Sequence, residues 1–254
     1  AFSLQDNMLG FDIGNYNGDI VIDPQLDWAT YYGGSGGEGG WSLIVSSILS
    51  ATGGCTLDAA GNVYITNSTN SADNIATAGA FQNVFSSVCG FIAGFNAGGT
   101  RLWGTYYGGT ALYKIKVSAD DKLYVCGIAT SKFVSMPPVS HQDTSGGMND
   151  GFLACFNPTG QRLWATFYGG DNEDYALDVN TDVNNDVYIA GYTNSKMGIA
   201  TPGAFQDTLL VKNNAYIAKF NNAGQRIWAT YYPSDTRTNL VSIVTDRNGE
   251  VYVA

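Results

Sequence analysis

One phrase occurs four times along this chain, and a chain that repeats itself folds as a succession of like units. The copies are Trp28-Ala-Thr-Tyr-Tyr-Gly-Gly34, Trp103-Gly-Thr-Tyr-Tyr-Gly-Gly109, Trp164-Ala-Thr-Phe-Tyr-Gly-Gly170 and Trp228-Ala-Thr-Tyr-Tyr232. Each belongs to a supersecondary unit that cannot bury its own apolar surface and must lay it on a neighbour. Side chains of an extended strand alternate between faces, so Trp103, Thr105 and Tyr107 point one way and Leu102, Gly104 and Tyr106 the other. Both faces are largely apolar or aromatic. The strand is therefore expected to lie between two layers, not to face water. Burying a large side chain is worth roughly 1.5–3 kcal/mol, so a tryptophan in every unit reads first as a packing residue. A ring of aromatic ligand-stacking sites is the alternative.

Three further landmarks recur in fixed order. A tyrosine strand appears as Gly61-Asn-Val-Tyr-Ile-Thr66, Lys122-Leu-Tyr-Val-Cys-Gly127, Asp186-Val-Tyr-Ile-Ala-Gly191 and Glu250-Val-Tyr-Val-Ala254. Polar tight turns such as Asp58-Ala-Ala-Gly61 precede it, of the kind that joins antiparallel strands. A strand ending in Phe-Asn follows as Phe91-Ile-Ala-Gly-Phe-Asn96, Phe152-Leu-Ala-Cys-Phe-Asn157 and Tyr216-Ile-Ala-Lys-Phe-Asn221. Its opening aromatic stands 12 residues before the next Trp each time (91 to 103, 152 to 164, 216 to 228). Between these strands runs a connector, Ala76-Thr-Ala-Gly-Ala-Phe-Gln82 and Ala200-Thr-Pro-Gly-Ala-Phe-Gln206, degraded to Val134 through His141-Gln142 in the middle unit. A Phe recurring inside a loop suggests that the loop folds back and plugs a gap between units.

From Trp to the following Tyr the spacing is 36, 21, 24 and 24 residues, so the first copy carries an insert after Gly34. Residues Ser35 to Gly54 place Trp41, Leu43, Ile44, Val45, Ile48 and Leu49 where the other copies have nothing. Such a segment either covers the open edge of the first unit or offers an apolar surface to a partner.

The balance of 12 Lys plus Arg against 22 Asp plus Glu gives a net charge of −10, with no basic run to offset it. Phosphate backbones are repelled, and nucleic acid is not an expected partner. No apolar run approaches the roughly 20 residues that span a bilayer, so membrane insertion is not expected either. The chain begins at Ala1 without a basic segment or apolar signal core, so a targeting signal is expected to have been removed or to lie upstream. The four cysteines, Cys55, Cys89, Cys126 and Cys155, fall at four different repeat positions and are no per-unit staple. Free thiols and one or two disulfides both stay open.

Catalytic signals are sparse. The one histidine, His141, lies in no nucleophile motif, and phosphate-cradling or dinucleotide glycine patterns leading into a helix are absent. No catalytic residue and no enzyme activity are expected. Acidic density peaks at Asp171-Asn-Glu-Asp174, where Asp171, Glu173 and Asp174 are oxygen ligands that could hold calcium. The EF-hand spacing is missing, however, and Asp/Asn turns are ordinary hairpin chemistry. No other cofactor is expected.

Four strands per unit separated by tight turns fit an all-β fold, a β-propeller of four-stranded antiparallel blades of about 61–75 residues. Residues 1–18 read as a strap or the end of something upstream, and 19–254 as the repeats, with approximate units 19–90, 91–151, 152–215 and 216–254. At the joint motif, from Asp-x-x-Gly-Asn-Val-Tyr-Ile through Ala-Thr-Pro-Gly-Ala-Phe-Gln to Phe-Asn-x-x-Gly-x-Arg-Leu-Trp-Ala-Thr-Tyr-Tyr-Gly-Gly, the chain resembles the SBBP repeat, a β-propeller repeat. Ile22-Asp-Pro24 is similar to the segment that precedes such arrays. Thr66-Asn67 and Pro233-Ser234 depart from the pattern. The resemblance implies a large secreted or cell-surface bacterial protein, often exported by the type IX route and built with adhesion-type modules. It transfers no catalytic residue. The expected role is a non-catalytic structural or adhesive module that contacts proteins, further copies of itself, other domains of a longer chain or a cell surface, within an extracellular appendage for example. A lectin-like, carbohydrate-binding propeller is the alternative.

Overall fold

The turns come first, because they dictate how many strands each unit can pair. In the first unit Asp58 Oδ1 accepts hydrogen bonds from the Ala60 and Asn62 amides (2.9 and 2.8 Å), and Gly61 takes a positive φ of 80°. Asp121 and Asn185 occupy that left-handed position in the next two units, and Gly249 in the fourth. Short polar side chains tolerate this conformation where most residues do not. The Phe-Asn-x-x-Gly turns work alike: Asn96, Asn157 and Asn221 each accept from two amides ahead of them, while Gly99, Gly160 and Gly224 turn the chain with φ near 80°.

A computed structural model describes residues 2–5, 8–11, 27–39, 53–86, 89–130, 141–210, 214–232 and 242–254. Every regular element among them is a strand, so the all-β expectation holds. A hairpin, β1 (Phe2–Gln5) with β2 (Met8–Phe11), precedes three four-stranded sheets. The first comprises β3 (Gly54–Leu57), β4 (Val63–Thr69), β5 (Cys89–Phe95) and β6 (Arg101–Gly108). The second comprises β7 (Thr110–Val117), β8 (Leu123–Thr130), β9 (Asn149–Phe156) and β10 (Arg162–Tyr168). The third comprises β11 (Asp174–Thr181), β12 (Val187–Thr193), β13 (Asn214–Phe220) and β14 (Arg226–Tyr232), and β15 (Ile243–Thr245) pairs with β16 (Val251–Val253). All pairings are antiparallel between consecutive strands. Each four-stranded sheet follows a Gly-Gly and ends on a Trp strand. The units read from the sequence are the same repeat cut at the Phe strand.

Within a sheet the landmarks meet. Tyr64 and Trp103 flank Gly94 on the middle strand, with ring centroids 6.2 Å apart, and a Cβ on Gly94 would lie 2.9 Å from the indole nitrogen. Tyr124 with Trp164 (5.9 Å) and Tyr188 with Trp228 (6.1 Å) repeat the pair. One departure from simple alternation recurs. A β-bulge lies between Arg101 and Trp103, between Arg162 and Trp164, and opposite Lys219 and Phe220. The extra residue of each bulge is turned out, which leaves Leu102, Leu163 and Ile227 at 49%, 37% and 49% exposure.

Between sheets the Trp strand does most of the joining. Trp103 Nε1 donates 2.7 Å to Pro158 O in the β9–β10 turn of the next sheet, and Trp164 Nε1 donates 3.0 Å to Asn222 O in the β13–β14 turn. Trp28 makes the same bond, 2.9 Å to Ala97 O, from a segment that belongs to none of the sheets. The indole of Trp28 lies so close over Gly99, and that of Trp103 over Gly160, that a Cβ there would clash at 2.7 Å. The second Tyr of the phrase crosses the same seam, Tyr32 OH to Ile75 O (2.7 Å) and Tyr168 OH to Ile199 O (2.8 Å). The first stays home, Tyr106 OH to Ser71 O and Tyr231 OH to Ser195 O, both 2.8 Å. Trp103 and Trp164 are 8% and 7% exposed, as the packing reading requires. Strand β7 packs on β3, β4 and β5, β11 on β7, β8 and β9, and β15 on β11 and β12. The sheets therefore stack face to face with their first strands adjacent, and the described residues form no closed ring.

The connector plugs a gap, as its recurring Phe suggests. Phe81 packs on Tyr107 and Phe156 at 5.6 and 6.0 Å, with the Arg162 guanidinium 4.5 Å above its ring. It also satisfies the outer strand: Thr77 N donates to Gly104 O (2.9 Å), Tyr106 N to Gln82 O (3.0 Å), and Gln82 N to Thr105 Oγ1 (2.9 Å). Thr201 and Gln206 repeat this on Ala229, Tyr231 and Thr230. Phe205 is 82% exposed, since no Phe-Asn strand of a following unit lies beside it among the described residues.

Trp164→Phe keeps an aromatic ring but deletes the donor that reaches Asn222 O. Urea unfolding should show a loss of about 1–2 kcal/mol, and Trp164→Ala a loss of about 3–5 kcal/mol. Equal stability of the Phe variant and the parent would remove the indole hydrogen bond from the account.

Candidate functional site

Where the Trp phrase ends, the Gly-Gly and the following acid build a polar node. Gly170 N donates 2.7 Å to Asp174 Oδ2, Ser195 Oγ donates 2.7 Å to the same oxygen, and Thr193 Oγ1 donates to Oδ1. Ser195 N in turn donates 2.9 Å to Thr193 Oγ1. The first unit copies this with a longer acid: Gly34 N (3.2 Å), Thr69 Oγ1 (3.1 Å) and Ser71 Oγ all donate to Glu38 Oε1. In the second unit the carboxylate comes instead from β9, where Asp150 Oδ2 accepts from Gly146 N at 2.7 Å. Asp150, Asp174, Thr193 and Ser195 are all fully buried. Burial pushes Asp174 up to about 6 against the hydrogen bonds that favour its charged form, and burial raises Asp150 as well.

Of the residues proposed for calcium, Asp174 is thus engaged by three donors, and Asp171 Oδ1 accepts from Lys196 N at 3.1 Å. Glu173 contributes its backbone carbonyl to Asn194 N (2.9 Å). No group of three or more His, Cys, Asp or Glu side chains converges among the described residues. The neighbouring acidic run, Asp182 to Asp186, closes a turn: Asp182 Oδ1 accepts from the Asn184 and Asp186 amides, and Lys219 Nζ sits 3.3 Å from Asp182 and 2.8 Å from Asp186. That ammonium also lies 5.0 Å over the Tyr188 ring.

His141 occupies the plug position that Phe81 and Phe205 hold in their units. It packs tilted on Tyr168 and edge-on to Phe220, with ring centroids 6.1 and 6.0 Å away, and burial together with the Arg226 guanidinium pulls it down to about 4. A neutral ring in an aromatic slot is a packing group. All four cysteines are free thiols, Cys55 exposed and the others buried, which settles the disulfide question for this fold. Burial raises Cys126 and Cys155, the latter to about 12, so neither is a ready thiolate. The partner-contact candidates Trp41, Leu43, Ile44, Ile48 and Leu49 lie outside the described residues.

One cavity of about 530 Å3 opens at the first seam. The connector (Thr77 to Ala80), the outer strand (Leu102 to Thr105) and the next unit's turn (Pro158 to Gly160) line it, with no ionisable side chain among them. Sequence reasoning missed this cavity and the buried node. The node did leave a signal: Gly-Gly followed four residues on by Glu38 or Asp174, and Thr-x-Ser closing the tyrosine strand at Thr69 and Thr193. No family model matches the chain, and no curated protein matches it either.

Lys219→Met strips the cation from Asp182, whose side chain is 2% exposed. Chemical unfolding should register about 1–3 kcal/mol of destabilisation, part of it recovered in the double variant with Asp182→Asn. An unchanged midpoint would show that the turn's own amides suffice.

Proposed function

We propose that the chain is a run of β-propeller blades that serves as a non-catalytic structural or adhesive module of a secreted or cell-surface bacterial protein of the SBBP-repeat kind. Its partners are proteins: other copies, other domains of a longer chain, or components of an extracellular assembly. The observation that carries this reading is the use to which the repeated side chains are put. Trp28, Trp103 and Trp164 all bridge to a turn in the following sheet, so the repeated aromatic residues serve cohesion. The connectors occupy the outer strands, and the one histidine packs as a plug. What distinguishes one unit from the others is the insert, so contact with a partner is assigned to Trp41, Leu43, Ile44, Ile48 and Leu49. Glu38, near its start, is tied to Thr69 and Ser71, so a clean test removes only residues 40–52. Thermal unfolding of that variant should stay close to the parent while self-association by sedimentation, or adhesion to the parent cell surface, falls. Collapse of the fold on deletion would make the insert an edge cover instead.

A second reading has one observation in its favour. The uncharged cavity beside Trp103 has a size suited to small ligands, and its Thr, Trp and Pro lining fits a neutral sugar. In a lectin-like module, a panel of neutral mono- and disaccharides should yield binding that Ala78→Trp abolishes at unchanged melting temperature, since Ala78 is exposed on the rim. A panel without binders would dispose of it.

A further inference from the structure

The seam between the second and third sheets differs from the first in holding two buried acids. Asp150 on β9 and Asp174 at the head of β11 lie at the same end of neighbouring sheets, where loops meet backbone to backbone. No Cβ fits on Gly146 against Gly170 O, on Gly147 against Asn172 O, or on Gly169 against the Asp150 carboxyl. Asp150 is fully buried, and its Oδ1 makes no well-formed hydrogen bond although the Ser145 side chain and the Gly147 amide lie beside the carboxyl; Asn214 Nδ2 and Tyr216 OH nearby are likewise buried and unsatisfied. Around the pair, Tyr168, Tyr216 and Tyr231 are uncharged, Asp171 and Glu173 flank Asp174 on its loop, Lys196 follows Ser195, and Arg226 stands against Tyr168. Among the described residues no Lys or Arg forms an ion pair with either carboxylate, and Lys196 is exposed.

A buried carboxylate with a poorly bonded oxygen and a like charge for company is far costlier ionised than protonated. We propose that this seam is a proton-operated clasp, tight when the Asp150 and Asp174 carboxyls are protonated and loosened when both are ionised. The proton comes from solvent and returns to it; no bond to carbon changes. Burial raises both acids, so the stability they lend is full below the ordinary carboxylate range and is lost as pH rises through their folded values. His141 acts oppositely. Lowered to about 4, it charges in the unfolded chain first, and stability falls as pH drops from about 6.5 toward 4. At the same seam it therefore masks the clasp in the intact protein.

That opposition dictates the experiment, done on the full chain. In His141→Phe, which installs the residue found at positions 81 and 205, the unfolding constant near pH 8 should exceed that near pH 5 by about tenfold or more. Adding Asp174→Asn should shrink the ratio to about a few-fold, Asp150 and Asp178 accounting for the remainder because burial raises them too. An undiminished ratio in the double variant overturns the proposal. Should Asp174→Asn fail to fold, the parent decides: the Asp150 and Asp174 carboxyl carbons, followed by NMR, should titrate above the ordinary carboxylate range. Titration of both within that range, about 4, refutes the clasp.

Discussion

One contact recurs along this molecule and the rest is built around it: an indole N–H of the Trp phrase reaching a turn carbonyl of the following sheet. It recurs at Trp28, Trp103 and Trp164 with lengths of 2.9, 2.7 and 3.0 Å. Everything around it is arranged to permit it. The acceptor turn needs a left-handed residue, which Gly99, Gly160 and Gly224 supply, and over the first two the absence of a Cβ lets the ring settle onto the backbone. Buried indole N–H groups need a partner, so the polar end of each Trp fixes how far one sheet slides on the next while the apolar body supplies the burial.

Much of this was legible because repetition samples the same environment several times. The Trp-x-Thr-x-Tyr alternation predicted a strand packed on both sides, and the recurring Phe predicted a plug; Trp103, Trp164 and Phe81 bear them out. What escaped is what does not repeat. Asp150 stands where the first unit has Cys89 and the third has Asn214, so no pattern marked it as a buried charge. Bulges escaped for a related reason. A strand's alternation says nothing about where one residue is skipped, and Leu102 turned outward where strict alternation put it beside Tyr106.

His141 shows how a single substitution can be read two ways. In the sequence it is the one imidazole in a degraded connector, a candidate for chemistry by residue type alone. In the fold it fills the slot of a phenylalanine, between Tyr168 and Phe220 and beside Arg226. The slot decides its protonation, and its protonation decides that it behaves as an aromatic plug.

The connectors carry a consequence for any protein built from many such units. Each outermost strand would present a row of free backbone donors and acceptors, the usual template on which foreign strands add. Gln82, Gln142 and Gln206 already sit there, with Tyr106, Phe167 and Tyr231 donating to their carbonyls at 3.0 Å. Lengthening the series therefore adds no new lateral template for amyloid-like growth, and a chain can multiply its units without multiplying its hazard of aggregation.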